Sequence, residues 1–262
     1  LPRTIFLCSC KPVTTMVANS FYCYFCDKLQ TPCAPPGAHF LAITDPNTAL
    51  EQLAKARHFL STFYAPEQVG GRYSALTPFG LVPAALIGVD IAEVLTSGQK
   101  MAEVCGAAAA EPNNPAMILG AALGELTLAK RDKVTFLCSP LLSALPSWVE
   151  QLIAESTGKD NKGIVPVAGE SVNAPDKYGS DRFFVYLRSH GDENLPLERH
   201  VAALEANGHP VARIDLRSKH DIGQEFFRWE FAVAAAGAAI GIQPFNQPDV
   251  QLAKDLARQA MS

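Results

Sequence analysis

The stretch from residue 4 to residue 63 restricts the fold more than any other, because it spells strand, helix, strand, helix, strand with short connections. Thr4-Ile-Phe-Leu-Cys8 is a short apolar run of the kind that forms a strand buried on both faces of a parallel sheet. It runs into Ser9-Cys-Lys-Pro-Val-Thr-Thr15, and a helix is expected from about Val17 to Leu29. A strand at Phe40–Ile43, a turn at Asp45-Pro46-Asn47, a helix to about Arg57 and a short strand near Phe59–Phe63 follow. Handedness and connection rules turn that alternation into a parallel sheet with helices on its faces. The class is therefore α/β, a three-layer doubly wound sheet.

The same grammar returns later in the chain. Val134–Cys138 reads as a second buried strand, Trp148–Asp160 as a helix closed by Gly158, Ile164–Val167 and Phe183–Leu187 as strands. Pro196–Asn207 reads as a helix closed by Gly208, Val211–Leu216 as a strand, and Glu225–Ile242 as a long helix rich in Ala and Gly. Three apolar, Ala-rich helical stretches between Phe79 and Ala129 separate the two halves. After Gln243-Pro-Phe-Asn-Gln-Pro248 comes a terminal helix in which Lys254 shares a face with Val250 and Ala257.

Composition narrows the partners. With 48% hydrophobic and 18% charged residues, the chain can bury a sizeable core. Its net charge of −4 gives no reason to expect nucleic acid or a membrane surface as partner. The apolar run Phe231–Ile242 is too short to span a bilayer, and no leader pattern opens the sequence, so a cytoplasmic address follows by default. Five of the seven cysteines fall in the first 33 residues. Cys23 and Cys26, with His39 nearby, allow a zinc or redox site to be drawn. Their aromatic surroundings (Tyr22, Tyr24, Phe25) and unmatched spacings favour free thiols acting as small hydrophobes.

Three stretches carry chemistry. On a helical wheel Trp148, Leu152 and Glu155 share one stripe, which sets an acid on an apolar face in the last turn of a helix. Partial burial there would raise its pKa towards the range of a general base, whereas the plainer reading is an i,i+4 ion pair from Glu155 to Lys159. The hydroxyl-rich loop after the first strand offers Lys11, Thr14 and Thr15 to a phosphate, with simple N-capping by either threonine as the plainer reading. In Gly70-Gly-Arg-Tyr-Ser74 the paired glycines let backbone approach a ligand closely, and Arg72 presents a planar fork of donors.

Together, GGRYSALTPFGLVPAALIGVD (70–90), WVEQLIAESTGKDNKGIVPV (148–167) and EFFRWEFAVAAAGAAIGIQPFNQPDVQLAK (225–254) resemble glucose-6-phosphate isomerase. The resemblance is closest to the isomerase part of bacterial fused transaldolase/glucose-6-phosphate isomerase proteins. It implies two sugar-isomerase (SIS) domains: residues 1–66 as the end of the first, 67–243 as the whole second and 244–262 as a C-terminal helix. It further implies interconversion of glucose 6-phosphate and fructose 6-phosphate through a cis-enediol, without metal or cofactor. Glu155 would be the base, Arg72 would stabilise the enediolate, and Lys254 would serve ring opening. Cys10, Lys11, Thr14, Thr15, Gly71 and Gln151 would bind the substrate and its phosphate.

The loop reads Cys10-Lys-Pro-Val-Thr-Thr15 where the family pattern is SKSGTT, so Pro12 removes a hydroxyl and a backbone donor. The histidine that many members carry about twenty residues past the base has no counterpart here, which leaves Lys254, His220 or water to open the ring. The partner implied is a second copy or the missing N-terminal portion, either of which would cover apolar surface left by an incomplete first domain. A sugar-phosphate-binding SIS module without catalysis is the alternative.

Overall fold

The computed structural model describes residues 3–11, 16–29, 36–106, 113–248, 256–257 and 259–260, so Thr14, Thr15 and Lys254 lie outside the described residues. The chain divides into two compact units, Leu1–Ala92 and Glu93–Ser262.

The first unit contains β1 (Phe6–Cys10), α1 (Met16–Lys28), β2 (Phe40–Thr44), α2 (Ala49–Ala56), β3 (Ser61–Tyr64) and α3 (Pro78–Leu86). Its three strands are parallel in the order β1-β2-β3, with Phe6 opposite Phe40 and Leu41 opposite Ser61. β1 and β3 each begin two residues further along than the apolar runs indicate. The register on the fully buried β2 decides where pairing starts, and Leu60 N–H reaching Phe40 O opens the β3 side.

Phe59 is thereby freed to pack in an aromatic core. Tyr22, Phe25 and Cys26 form the inner face of α1 at helical spacing, continued by Leu29 just beyond it, and meet Phe6, Phe40 and Phe59. The Phe6 and Phe25 centroids are 4.5 Å apart and those of Phe40 and Phe59 5.3 Å, normal separations for offset rings. Cys8 packs in the same cluster, and burial, with Cys26 beside it, pushes its thiol pKa up to about 11. None of the six described cysteines is in a disulfide, and the described residues contain no group of three or more His, Cys, Asp or Glu suited to a metal ion. The thiols of Cys8 and Cys26 thus serve as core volume.

α2 is started by Thr48, whose side chain accepts Glu51 N–H, while Glu51 accepts Asn47 N–H at 2.6 Å. α3 packs on β2 and β3, which carries the compact unit past residue 66. It buries none of its residues fully, and beyond it Ile87 is 82% exposed.

The second unit takes in most of α4 (Ile91–Val104), then α5 (Pro115–Leu128), β4 (Lys133–Cys138), α6 (Leu145–Thr157), β5 (Val165–Val167), β6 (Arg182–Ser189), α7 (Leu195–Ala206), β7 (Val211–Leu216) and α8 (Ile222–Ile240). The strands are again all parallel, in the order β5-β4-β6-β7. Alternation along the strands builds three layers. Leu137, Phe184 and Tyr186 face Val201 and Leu204 of α7, while Phe136 turns the other way and meets Trp229 of α8 edge-on at 5.6 Å.

α5 and α8 cross closely because Gly120 and Gly124 oppose Ala232, Ala235, Ala236 and Ala239. Among the described residues no helix is long and apolar enough to cross a membrane.

Candidate active site

In the first unit Cys10 and Lys11 stand at the C-terminal end of β1, on the edge of the sheet where open α/β sheets receive ligands. Lys11 follows β1, Asp45 follows β2 and Pro66 follows β3 by two residues. The Lys11 ammonium joins all three ends. It donates to Asp45 Oδ1 at 2.9 Å, to Asp45 Oδ2 at 3.1 Å and to Pro66 O at 2.9 Å, and lies 5.6 Å from the Phe79 ring centroid. Asp45 is buried, so the pair is a charge-neutral strut across the crest of the sheet. An incoming anion meets a lysine whose field is already offset by a carboxylate. Cys10 Sγ donates to Lys11 O at 3.1 Å.

Arg72 sits in a 3-10 turn, Gly71–Tyr73, closed by Tyr73 N–H to Gly70 O and by Ser74 Oγ to Gly71 O at 2.6 Å. Thr77 then caps α3 by accepting Phe79 N–H. Arg72 is buried, and its guanidinium carbon stands 5.6 Å from the Tyr73 ring centroid. Neither glycine of the pair is there for a left-handed backbone, since Gly70 has φ −64° and no positive φ is found at Gly71. A Cβ on Gly71 would meet nothing within 4 Å. Open space over an exposed backbone, beside a buried guanidinium, is what close approach of a small polar molecule requires.

In the second unit the candidates lie at the end of α6. Its fully buried stripe is Val149, Leu152, Ile153 and Ser156, and Trp148 and Glu155 are half-buried at the margin. Trp148 is held edge-on against Phe226 at 4.9 Å. Gln151 Nε2 donates to Glu155 Oε1 at 3.1 Å, one turn apart on the same helix, so these two candidates are brought together. A carboxylate so placed keeps one oxygen held and stays within reach of solvent-borne substrate.

The expected ion pair from Lys159 to Glu155 is replaced by another arrangement. Lys159 is buried, and its ammonium donates to Gln243 O at 2.5 Å, Asn246 O at 2.6 Å and Asn246 Oδ1 at 2.8 Å. Gly158 ends the helix as expected, but with φ −72° rather than in the left-handed region. The left-handed positions fall on Asp160 and Asn161, φ 55° and 57°, between Lys159 and Lys162, whose backbones bond to each other. Two such central residues make a type I′ turn, for which Asp and Asn are suited. Thr157 Oγ1 donates to Ile153 O at 2.8 Å and accepts Ile164 N–H at 2.9 Å, locking helix end to strand.

Two residues gained importance only in the structure, Asp45 and Lys159. Asp45 had a signal, an acid immediately after a buried strand, but its Asp-Pro-Asn context reads as a turn. His220 lies in a 3-10 turn with its backbone N–H on Ser218 Oγ.

A family model described as phosphoglucose isomerase matches residues 2–175. The glucose-6-phosphate isomerase of Rubrobacter xylanophilus is 30% identical over 263 residues, covering 86% of this chain and 60% of that protein. That of Parabacteroides distasonis is 31% identical over 252 residues, covering 82% and 56%. The chain thus spans about 60% or less of the length of these curated relatives. Among solved structures, hypothetical protein TT0462 of Thermus thermophilus superposes with TM-score 0.88 at 24% identity, over 99% of this chain and 72% of that one. A glucose-6-phosphate isomerase of Chlamydia trachomatis superposes with TM-score 0.79 at 18% identity, over 99% and 59%. These two likenesses concern the fold.

Proposed function

The chain belongs to the phosphoglucose isomerase family, and from that premise we propose that it interconverts glucose 6-phosphate and fructose 6-phosphate. Glu155 takes the proton from C2 of the open-chain aldose, leaving a cis-enediolate, and returns it to C1 as the hydroxyl proton of O2 passes to O1, which gives the ketose. Reversal of these steps converts ketose to aldose. Arg72 offsets the negative charge that develops on the enediolate oxygens, the step at which a fixed guanidinium contributes most. Lys254, His220 or water opens the sugar ring. The loop with Cys10, Lys11, Thr14 and Thr15 holds the phosphate, and Gly71 and Gln151 line the substrate.

The observation that carries the reading is the setting of Glu155, half-buried at the end of α6 and oriented by Gln151, whose Nε2 donates to its Oε1. In this reading residues 1–66 close a first SIS domain, 67–243 form the second, and 244–262 are a C-terminal helix. A second copy or an upstream portion of the polypeptide completes the assembly, and the enzyme works in the cytoplasm.

A coupled assay with fructose 6-phosphate on the chain and on Glu155→Gln tests it. Turnover by the parent should fall about 10²–10⁴-fold in the variant, the usual contribution of a positioned base. Equal rates would remove Glu155 from the mechanism. Absence of turnover in both proteins, with hexose phosphate still bound, would support the non-catalytic module instead.

A further inference from the structure

The end of α6 carries Glu155 in its last turn, and the last turn of a helix is where fraying begins. Four residues beyond Glu155, Lys159 is 7% exposed. Its three ammonium donors reach Gln243 O, Asn246 O and Asn246 Oδ1 at 2.5, 2.6 and 2.8 Å. Lys162, on the far side of the same I′ turn, donates to Ile240 O at 3.2 Å and Gly241 O at 3.4 Å. The two lysines together cap the carbonyls at the close of α8 and the segment after it. The burials differ: Lys162 is exposed, while Lys159 is enclosed with its charge solvated by protein oxygens alone in these three bonds.

An enclosed ammonium is held firmly because its displacement leaves three carbonyl oxygens without donors. Asn246 is the residue before Gln247 and Pro248, the stretch that leads in sequence to Lys254. The backbone N–H of Lys159 also bonds Thr157 O at 2.8 Å, so the ammonium's hold is passed to the helix end by a short, bonded path.

We propose that Lys159 is a positioning residue for proton transfer: it fastens the helix end bearing Glu155 to the segment Gln243–Asn246 and so fixes where the carboxylate stands. The inference rests on Glu155 being the base. Misplacing a reacting group by about 1 Å costs on the order of 100-fold in rate.

The test compares Lys159→Met, which keeps the stem and removes donors and charge, with Lys159→Arg, which keeps both, in the full chain. Lys159→Met should lower kcat by about 100-fold with KM changed much less, and Lys159→Arg should recover part of the loss. Asn246→Ala, which removes one of the three acceptors, should act in the same direction and more weakly. In a Glu155→Gln background the Lys159→Met change should cost little further rate, because a residue that acts through the base has nothing left to position. A multiplicative loss in that double variant would assign Lys159 a role apart from Glu155 and overturn the inference.

Amide exchange at residues 154–158 supplies a readout independent of catalysis. It should speed at least about 10-fold in Lys159→Met while exchange in β4 and β6 stays as in the parent. Unchanged exchange at the helix end overturns the inference, as does a Lys159→Met enzyme with the parent's kcat. Should Glu155→Gln match the parent, the proposed base fails, and the exchange result alone then decides whether Lys159 fastens the helix end.

Discussion

Replacing Gly120 by alanine should destabilise the second unit, although alanine is the better helix former by about 1 kcal/mol. A Cβ at that position would stand 2.6 Å from Ala232 O and 2.6 Å from Ala235 Cβ, with Ala232 Cα at 3.1 Å. Heavy atoms at ease sit at roughly 3.5–4.0 Å, so α5 and α8 would have to part by about 1 Å at the crossing. The carbonyl oxygen belongs to a helix backbone and has no rotamer by which to yield. Overpacking of this kind costs about 1–3 kcal/mol and can exceed that. With a backbone oxygen and a methyl both inside 3 Å the cost lies at the top of that range, about 3 kcal/mol, so that, set against the propensity gain, the net loss expected is about 2 kcal/mol.

Gly124 provides the control, because there an added Cβ would meet Ala239 Cβ at 2.5 Å while the nearest backbone atoms lie at 3.5 and 3.6 Å. Removing that one methyl should relieve the clash. Gly124→Ala combined with Ala239→Gly should therefore show a favourable coupling of about 1 kcal/mol or more. Gly120→Ala combined with Ala235→Gly should recover far less, since Ala232 O remains in the way. Both tryptophans, Trp148 and Trp229, lie in the second unit, so urea unfolding followed by tryptophan fluorescence reports it selectively. With m near 2–3 kcal/mol/M the midpoint for Gly120→Ala should drop by about 0.7–1 M. A midpoint at or above the parent's would refute the close crossing of α5 and α8.

Burial holds the pKa of His200 below the ordinary histidine range, so the folded state prefers the neutral ring. Its contribution to stability is therefore complete above about pH 6.5, the unfolded value, and is lost as pH falls through the interval between the unfolded and folded pKa. The loss in urea midpoint between about pH 7.5 and 5.5 should be smaller in His200→Gln than in the parent, and an equal loss would contradict the assignment. At the crest of the first sheet, Lys11→Met or Asp45→Asn alone should cost that unit roughly 2–3 kcal/mol, less than a fully enclosed pair because Lys11 is 21% exposed. The double variant should cost less than the sum, and additive losses in thermal unfolding would show that the two charges are not coupled.

What the amino-acid sequence made legible follows from periodicity. The apolar runs at Val134–Cys138 and Val211–Leu216 and the Gly208 stop after α7 were readable because a buried strand and a helix end each demand particular residue types at particular spacings. The ends of β1 and β3 were less readable, because pairing on β2 sets them and the pairing partner lies 34 residues away for β1 and 20 for β3. Glu155 was found as an awkward acid on an apolar stripe, yet the buried stripe is centred on Leu152, Ile153 and Ser156, with the acid at its edge. The partner of Lys159 is hidden for a similar reason. Helical spacing offers it Glu155, but the chain leaves the helix at Gly158 and carries the lysine to Gln243 and Asn246, more than eighty residues on.

Lys11 and Lys159 share a consequence for the proposed chemistry. Each belongs to a stretch that resembles a sugar-phosphate enzyme, and each directs its three ammonium donors to protein oxygens. A phosphate approaching the first sheet therefore finds little net attraction in Lys11, whose charge Asp45 offsets at 2.9 Å. Recognition of a phosphate must then come mainly from hydroxyls and backbone N–H groups of the loop from Cys10 to Thr15, where Pro12 has no N–H to give. One neutral strut at Lys11, a lysine at 159 committed to carbonyl oxygens and a reduced set of donors should leave the proposed enzyme with modest ground-state affinity. Its rate would then depend on groups that act as charge develops, the Arg72 guanidinium and the Glu155 carboxylate, so their removal should depress kcat far more than it raises KM.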